Sequence, residues 1–203
     1  MTIFVIVLAY LLGSIPSAVL IGKVFFHVDI REHGSKNPGA SNSLRVFGKK
    51  FALIILMMDV AKGALAALLP IFFQLDLNPI YPGLVAVIGH CFPIFANFRG
   101  GKAIATTAGM LLVVNIYVLL IGLVCFFGII YITKYVFMAS LFVGFLLIGY
   151  SIYLQDTTLL IIFIFFELLL IFLHRSNISN FLRGEELKTN DKRIFDARVD
   201  IKK

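Results

Sequence analysis

Long apolar stretches alternate with short polar breaks along this chain, and most of the apolar stretches have the length of a bilayer span. A spanning helix needs about 17–25 mostly apolar residues. Thr2 to Val24 fits, with Gly13-Ser14-Ile15-Pro16-Ser17-Ala18 in its middle. His27 to Lys50 is polar, basic and rich in Gly, Asn and Ser, and Phe51 to Phe73 is a second span carrying Asp59 and Lys62. After the turn Gln74 to Pro79 comes a third span, Ile80 to Phe98, with Gly89-His90 inside it and Arg99-Gly100-Gly101-Lys102 at its end. Ala103 to Tyr131 is too long for one span and short for two, and Asn115 near its middle suggests two tilted or shortened helices. Tyr135 to Leu154 and Thr157 to Leu173 follow, separated by Gln155-Asp156, and from His174 onward the chain is polar and charged. The pattern predicts an all-α, polytopic integral membrane protein of about seven transmembrane helices. Thr2 to Leu12 has no basic residue before it and the apolar run resumes after Ala18, so this is read as a retained helix rather than a signal peptide.

Charge fixes the expected orientation. Basic residues favour cytoplasmic loops. With seven helices, one side collects Arg31, Lys36, Arg45, Lys49, Lys50, Arg99, Lys102, Lys134, Arg175 and Arg183, while the loops opposite hold Asp76 and Asp156 and no Lys or Arg. The amino terminus is therefore expected outside and the carboxyl terminus in the cytoplasm. A six-helix count would place Lys134 and the tail opposite the other basic loops. No internal repeat is visible, which argues mildly against an inverted-repeat transporter.

Composition agrees. The 203 residues are 60% hydrophobic and 14% charged, with a mean hydropathy of +0.99. Soluble domains carry about 25% charged residues. The formal net charge of +7 points to anionic headgroups or anionic substrates rather than nucleic acid. Cys91 and Cys125 lie in apolar stretches without partners at ligand spacing, so neither a metal site nor a disulfide framework is expected.

Three polar segments could carry chemistry. The first, Asp29 to Arg45, sets Ser35, Asn37, Ser41, Asn42 and Ser43 between Arg31 and Arg45. The Arg fork suits phosphate, and hydroxyl and amide groups suit a polyol; a solvated turn with helix caps is the plain alternative. The second, Phe98 to Thr106, places Gly100, Gly101 and Lys102 at the start of an apolar helix. Open amides and the positive end of the helix dipole make such a start an anion site, although G-x-x-x-x-G-K-[ST] spacing is missing and an interfacial turn with a snorkelling Lys would read alike. The third, His174 to Glu186, brings His174, Arg175 and Asn177 to the same membrane face, where a positive-inside stop signal is the bland reading. Within the spans, Asp59 and Lys62 are three apart and can neutralise each other. His90 and Asn97 are seven apart, hence expected on one helix face, and Glu167 needs a partner. No Ser-His-Asp or Cys-His spacing and no carboxylate cluster for a metal is present.

In this order the motifs resemble the bacterial acyl-phosphate:glycerol-3-phosphate acyltransferases, the PlsY family. The resemblance covers nearly the whole chain. It is carried by Gly13-Ser14-Ile15-Pro16-Ser17-Ala18, by Gly34-Ser35-x-Asn37-x-Gly39-Ala40-x-Asn42 to Arg45, and by Asp59-x-x-Lys62-Gly63. It continues through Gly89-His90-x-Phe92-Pro93, Gly100-Gly101-Lys102-x-x-Ala105-Thr106 and His174-Arg175-x-Asn177-Ile178. Ile104, Ser41 and Pro38 depart from the residues usual in the family and leave the expected polar contacts intact.

The resemblance implies transfer of a fatty acyl group from acyl phosphate to the 1-hydroxyl of glycerol 3-phosphate, giving lysophosphatidic acid and phosphate without a cofactor, in the bacterial plasma membrane with the site facing the cytoplasm. Residues 1–186 would form one transmembrane acyltransferase domain and 187–203 a charged cytoplasmic tail. Gly100, Gly101, Lys102, Ala105 and Thr106 would hold the acyl phosphate. Ser35, Asn37, Asn42, Arg45, Lys102, His174 and Asn177 would bind glycerol 3-phosphate, with Ser35, Arg45, His174 and Asn177 nearest the chemistry and Asp59, Lys62 and His90 supporting them. Membrane lipids and other enzymes of phospholipid synthesis are the expected partners, and nucleic acid is not. The rival reading is a membrane transporter of anions or lipid phosphates, which would need polar groups through the full depth of the bilayer. A scaffold that docks lipid enzymes is a third, and would have no use for two glycine-lined anion sites.

Overall fold

The computed structural model of the chain describes residues 1–199, and every described element is helical or a turn. The helices are α1 (Thr2–Gly13), α2 (Ser17–Ile21), α3 (Ala40–Val46), α4 (Lys49–Phe72), α5 (Ile80–Cys91), α6 (Ile104–Val114), α7 (Ile116–Thr133), α8 (Val136–Tyr153), α9 (Thr157–Leu173) and α10 (Arg175–Leu182). Three of them, α4, α7 and α8, are long and apolar enough to cross a membrane unaided. Two bent pairs raise that number to five: α1 with Ser17–Phe26, bent by 43°, and α9 with α10, bent by 54°. Two shorter apolar stretches, Ile80–Ala96 and Ile104–Val114, remain. At 1.5 Å per residue α6 is only about 17 Å long, against a hydrocarbon core of about 30 Å.

Several boundaries differ from expectation. The first apolar stretch is broken at Ser14–Pro16, because Pro16 lacks the amide that would continue the helix, and beyond α2 it ends in a π-helical turn at Gly22–Phe26. The third helix stops at Cys91 rather than running to Phe98. Phe92 precedes Pro93 and takes φ −128°, ψ 65°, outside the helical region, as a residue before proline tends to do. Asn97 therefore does not share a helix face with His90; it lies exposed in a turn at φ 55°. The division at Asn115 is present: that residue is extended at φ −160°, ψ 103°, between α6 and α7.

The chain forms two compact units, Met1–Ile116 with the chain from Ile194, and Tyr117–Arg193. In the first, α4 packs on α6, and α1 packs on α5 and α4. In lipid the apolar effect gives no net pull between helices, so close approach of small residues takes its place. Ala9, Ala66 and Ala86 meet fully buried where α1, α4 and α5 converge. Gly109 of α6 lies against the Val60 carbonyl of α4, Gly63 of α4 against the Thr106 carbonyl of α6, and Gly13 of α1 against the Ala86 carbonyl of α5; a Cβ at any of the three would strike backbone. The Tyr10 hydroxyl donates to the Phe92 carbonyl at 2.8 Å and so anchors the end of α5 to α1. In the second unit α8 packs on α9, with Glu167 buried against Gly144 and neither carboxyl oxygen bonded. Tyr135 meets Phe181 edge-on and Phe137 packs tilted against both, and the Thr189 amide donates to the Lys134 carbonyl at 2.9 Å. Residues 200–203 of the expected tail lie outside the described residues.

The glycine contacts make a direct prediction. Gly109→Ala is expected to push α6 off α4 and cost about 1–3 kcal/mol, the usual range for overpacking. Gly128→Ala on α7, where an added methyl meets nothing within 4 Å, is expected to leave stability unchanged. Thermal unfolding of the two variants in the same detergent checks the contrast; equal melting temperatures would contradict the packing described.

Candidate active site

The first unit is organised around a charge buried between helices. Asp59 of α4 is 2% exposed and Lys62, one turn along, is 5% exposed. The Lys62 ammonium sits 2.8 Å from Asp59 Oδ1 and donates to the Ile15 carbonyl at 2.9 Å. That carbonyl belongs to the break between α1 and α2, where proline leaves backbone acceptors without helical partners. The Ser17 hydroxyl donates to Asp59 Oδ1 at 2.9 Å. From α5, His90 Nδ1 stands 3.5 Å from the same carboxylate oxygen and 3.1 Å from Thr106 Oγ1 of α6. One carboxylate thus ties the α1–α2 break, α4 and α5 together, and His90 extends the network to α6. The expected Asp59–Lys62 pair is present. Sequence reasoning missed Ser17, and Pro16 beside it was the available signal: a broken helix needs polar partners.

That network supports the glycine turn. The Gly100 amide donates to the Cys91 carbonyl at 3.2 Å and the Gly101 amide to the His90 carbonyl at 3.1 Å. A Cβ on Gly100 would strike the His90 carbonyl, and one on Gly101 would strike His90 Nε2. Both positions therefore need glycine, Gly100 because it lies on the backbone at the end of α5 and Gly101 because it lies on the imidazole. Around it the backbone is strained: Asn97, Phe98 and Ala103 are left-handed at φ 55°, 56° and 58°, a conformation that costs non-glycine residues of order 1–3 kcal/mol each and gathers at functional sites. Ala103 is the N-cap of α6, and the Thr107 amide and hydroxyl both donate to its carbonyl at 2.8 and 2.9 Å. The amides of Ile104, Ala105 and Thr106 precede the first intrahelical bond and form the positive end of the helix. Lys102, half-buried, adjoins them. This arrangement suits a phosphate.

The polar loop lies next to this turn. Arg31 holds Asp29 through two nitrogens, Nε at 2.9 Å and Nη2 at 2.7 Å, and its Nη1 donates to the Ala96 carbonyl at 2.7 Å, just ahead of the glycine turn. The hydrogen bonds from Arg31 pull the Asp29 carboxyl down to about 2. Asn42 is buried, and its amide is engaged at both ends: Oδ1 accepts from the Ser35 amide at 2.8 Å, and Nδ2 donates to the His33 carbonyl at 3.0 Å. It shapes the loop. Ser35 is exposed, while Asn37 and Arg45 are half-buried. Two of the three polar segments are thus brought together, through a bond from Arg31 that spacing alone did not reveal.

The third segment belongs to the second unit. His174 is buried at the corner between α9 and α10, with Nδ1 2.9 Å from the Leu170 carbonyl. A carbonyl only accepts, so Nδ1 carries a proton and donates to it. The Asn177 amide donates to Glu186 Oε1 at 2.6 Å. Glu186 was overlooked as a positioning partner; it lies just past the Gly184 turn, where its own amide donates to the Asn180 carbonyl at 3.2 Å. Among the described residues no group of three or more His, Cys, Asp or Glu side chains forms a metal site.

Comparison with known proteins agrees with this architecture. The family model described as glycerol-3-phosphate acyltransferase matches residues 3–184. Among curated relatives, glycerol-3-phosphate acyltransferase 2 of Bacillus cereus is 43% identical over 93% of this chain and 96% of its own length. The Bacillus subtilis enzyme is 42% identical over 90% and 95%, and that of Macrococcus caseolyticus 44% over 93% and 97%. Two crystal structures of PlsY, an integral membrane glycerol 3-phosphate acyltransferase, are similar throughout. Its glycerol 3-phosphate form superposes with a TM-score of 0.83 at 34% identity, and its lysophosphatidic acid form with 0.79 at 32%, each covering 92% of this chain and 94% of the other. With motifs, helical membrane fold and relatives in agreement along almost its whole length, the chain belongs to the glycerol-3-phosphate acyltransferase family.

Proposed function

We propose that this membrane acyltransferase takes its acyl group from acyl phosphate and passes it to the 1-hydroxyl of glycerol 3-phosphate at the cytoplasmic face of the bacterial membrane. The observation that carries the reading is the Gly100–Gly101–Lys102 turn, braced from below by His90 and tied to the polar loop by Arg31. Relatives bound to glycerol 3-phosphate and to lysophosphatidic acid support the acceptor and the product. Both substrates carry phosphate and one carries a long apolar chain, so a basic rim on a helical membrane body suits the pair.

In this reading the α6 amides and Lys102 hold the donor phosphate. Arg45, Ser35 and Asn37 receive glycerol 3-phosphate from a loop that Asn42 keeps in shape, and His174 and Asn177 serve the same reaction. The hydroxyl oxygen attacks the acyl carbonyl carbon, the carbon–oxygen bond to phosphate breaks, and phosphate leaves with the electron pair. The hydroxyl proton ends on phosphate, directly or through His174. Because phosphate is a good leaving group, positioning and charge neutralisation supply most of the acceleration. Seven crossings follow if the five longer spans are joined by the two short helices, which would put the amino terminus outside. Residues 1–186 then work as one catalytic domain.

Purified protein given palmitoyl phosphate and labelled glycerol 3-phosphate is expected to release equal amounts of phosphate and lysophosphatidic acid, with no acyl-protein adduct on acid quench. Lys102→Met is expected to lower kcat/KM by about a hundredfold or more, the scale for losing one preorganised charge-stabilising group. Full activity in that variant would remove the turn from the mechanism.

The Asp29–Arg31 pair sets a pH dependence. Its carboxyl falls from 3.8 to about 2 on folding, so its stabilisation is complete above pH 3.8 and is lost as pH falls through about 2. The melting temperature of Asp29→Asn should trail the unmodified protein by a constant margin from pH 6 to 8, and the gap should close below pH about 4. A gap unchanged at pH 2 would contradict the assignment.

A further inference from the structure

A groove with no part in the proposed chemistry opens at the amino end of α4. Its outer wall is the returning chain at 197–199. The Val199 amide donates to the Val46 carbonyl of α3 at 2.9 Å. Ala197 and Val199 pack on the buried cluster that contains Phe26, Val46 and Phe47. This strap lays the Arg198 guanidinium across Gly48, where a Cβ would stand 3.0 Å from Cζ, and Gly48 itself turns at φ 81° to start α4.

Two adjoining cavities of about 470 and 410 Å³ fill the groove, and both are lined by Lys49, Lys50 and Arg198. Phe26, Phe47 and Phe51 line the second. Among the described residues no carboxylate lines either cavity, and none of the three cations has an ion-pair partner. Three like charges therefore share one small space. They stand at the amino end of a 24-residue helix, where the dipole is also positive and cations are disfavoured. No acidic side chain among the described residues offsets this charge; an anion would. The position says which anion. Directly after Lys50 the helix is apolar from Phe51 to Met58, and Phe25 and Leu53 beside the groove are exposed, so the groove sits where the bilayer's headgroups meet its hydrocarbon. Basic residues immediately outside a span attract anionic lipid, and the aromatic wall offers an acyl chain a surface.

We propose that this groove binds the phosphate headgroup of an anionic phospholipid from the surrounding bilayer, with the strap at 197–199 as its outer wall. The lipid bridges α4 and the strap. Because the strap is bonded to α3, which carries Asn42 and Arg45, occupancy also steadies the base of the polar loop.

The test is native mass spectrometry of the purified full-length protein in neutral detergent. It would be titrated with phosphatidylglycerol or with phosphatidylcholine of the same chains, with inorganic phosphate as competitor. Retention of one phosphatidylglycerol in preference to phosphatidylcholine is expected. Each neutralised cation should weaken retention by about fivefold, so Arg198→Gln lowers it measurably and the triple variant Lys49→Gln, Lys50→Gln, Arg198→Gln lowers it by about a hundredfold, while both keep acyltransferase activity in zwitterionic micelles. If the triple variant does not fold, the single variant and the preference of the unmodified protein decide. Equal retention of the two lipids, undiminished retention in Arg198→Gln, or full displacement by millimolar inorganic phosphate would overturn the proposal.

Discussion

The arrangement of the first unit depends on one carboxylate taken out of water. A charge among membrane helices is tolerated only when partners meet it from several sides, and Asp59 draws them from separate elements: Ser17 beyond the proline break, Lys62 on its own helix and His90 on α5. Such a pair is weak evidence for stability, since removing two charges from water costs about what their attraction returns. Its worth is positional. This packing of the helices satisfies the carboxylate, the ammonium and the Ile15 carbonyl together, and small residues let the backbones come close enough to reach it.

Position is what the chemistry requires. His90, tied to Asp59, is what the glycine turn rests on: Gly101 lies on its imidazole and Gly100 on its carbonyl. The strained turn from Asn97 to Ala103 is held from beneath by a network inside the helices and from the side by Arg31. A phosphate bound there, as proposed, would meet amides and a lysine at fixed places without reorganisation, where electrostatic stabilisation is most effective.

Much of this was legible in the sequence. The apolar stretches were found, the helix break fell at Asn115, and the spacing of three between Asp59 and Lys62 announced an ion pair. The end of α5 was missed because Phe92, Ile94 and Phe95 are as apolar as the helix before them, so hydropathy does not register the stop; Pro93 does, through its effect on the residue before it. The partners of Arg31 and Asn42 were not legible for another reason. Both residue types suit a ligand, and only the fold reveals that Asn42 is committed to the His33 carbonyl and the Ser35 amide, and Arg31 to Asp29 and a carbonyl 65 residues away. The strap at 197–199 carried no signal, because a single backbone bond and two small apolar contacts leave no periodicity.

The central claim is that the polar loop and the glycine turn form one phosphate-binding rim on the cytoplasmic side. Single cysteines at positions 36 and 99, both exposed, test it most directly when labelled with a membrane-impermeant thiol reagent in intact cells and in inverted membrane vesicles. Both should react in the inverted vesicles and neither in intact cells. Reaction of the two from opposite faces, or of both from outside, would contradict the account.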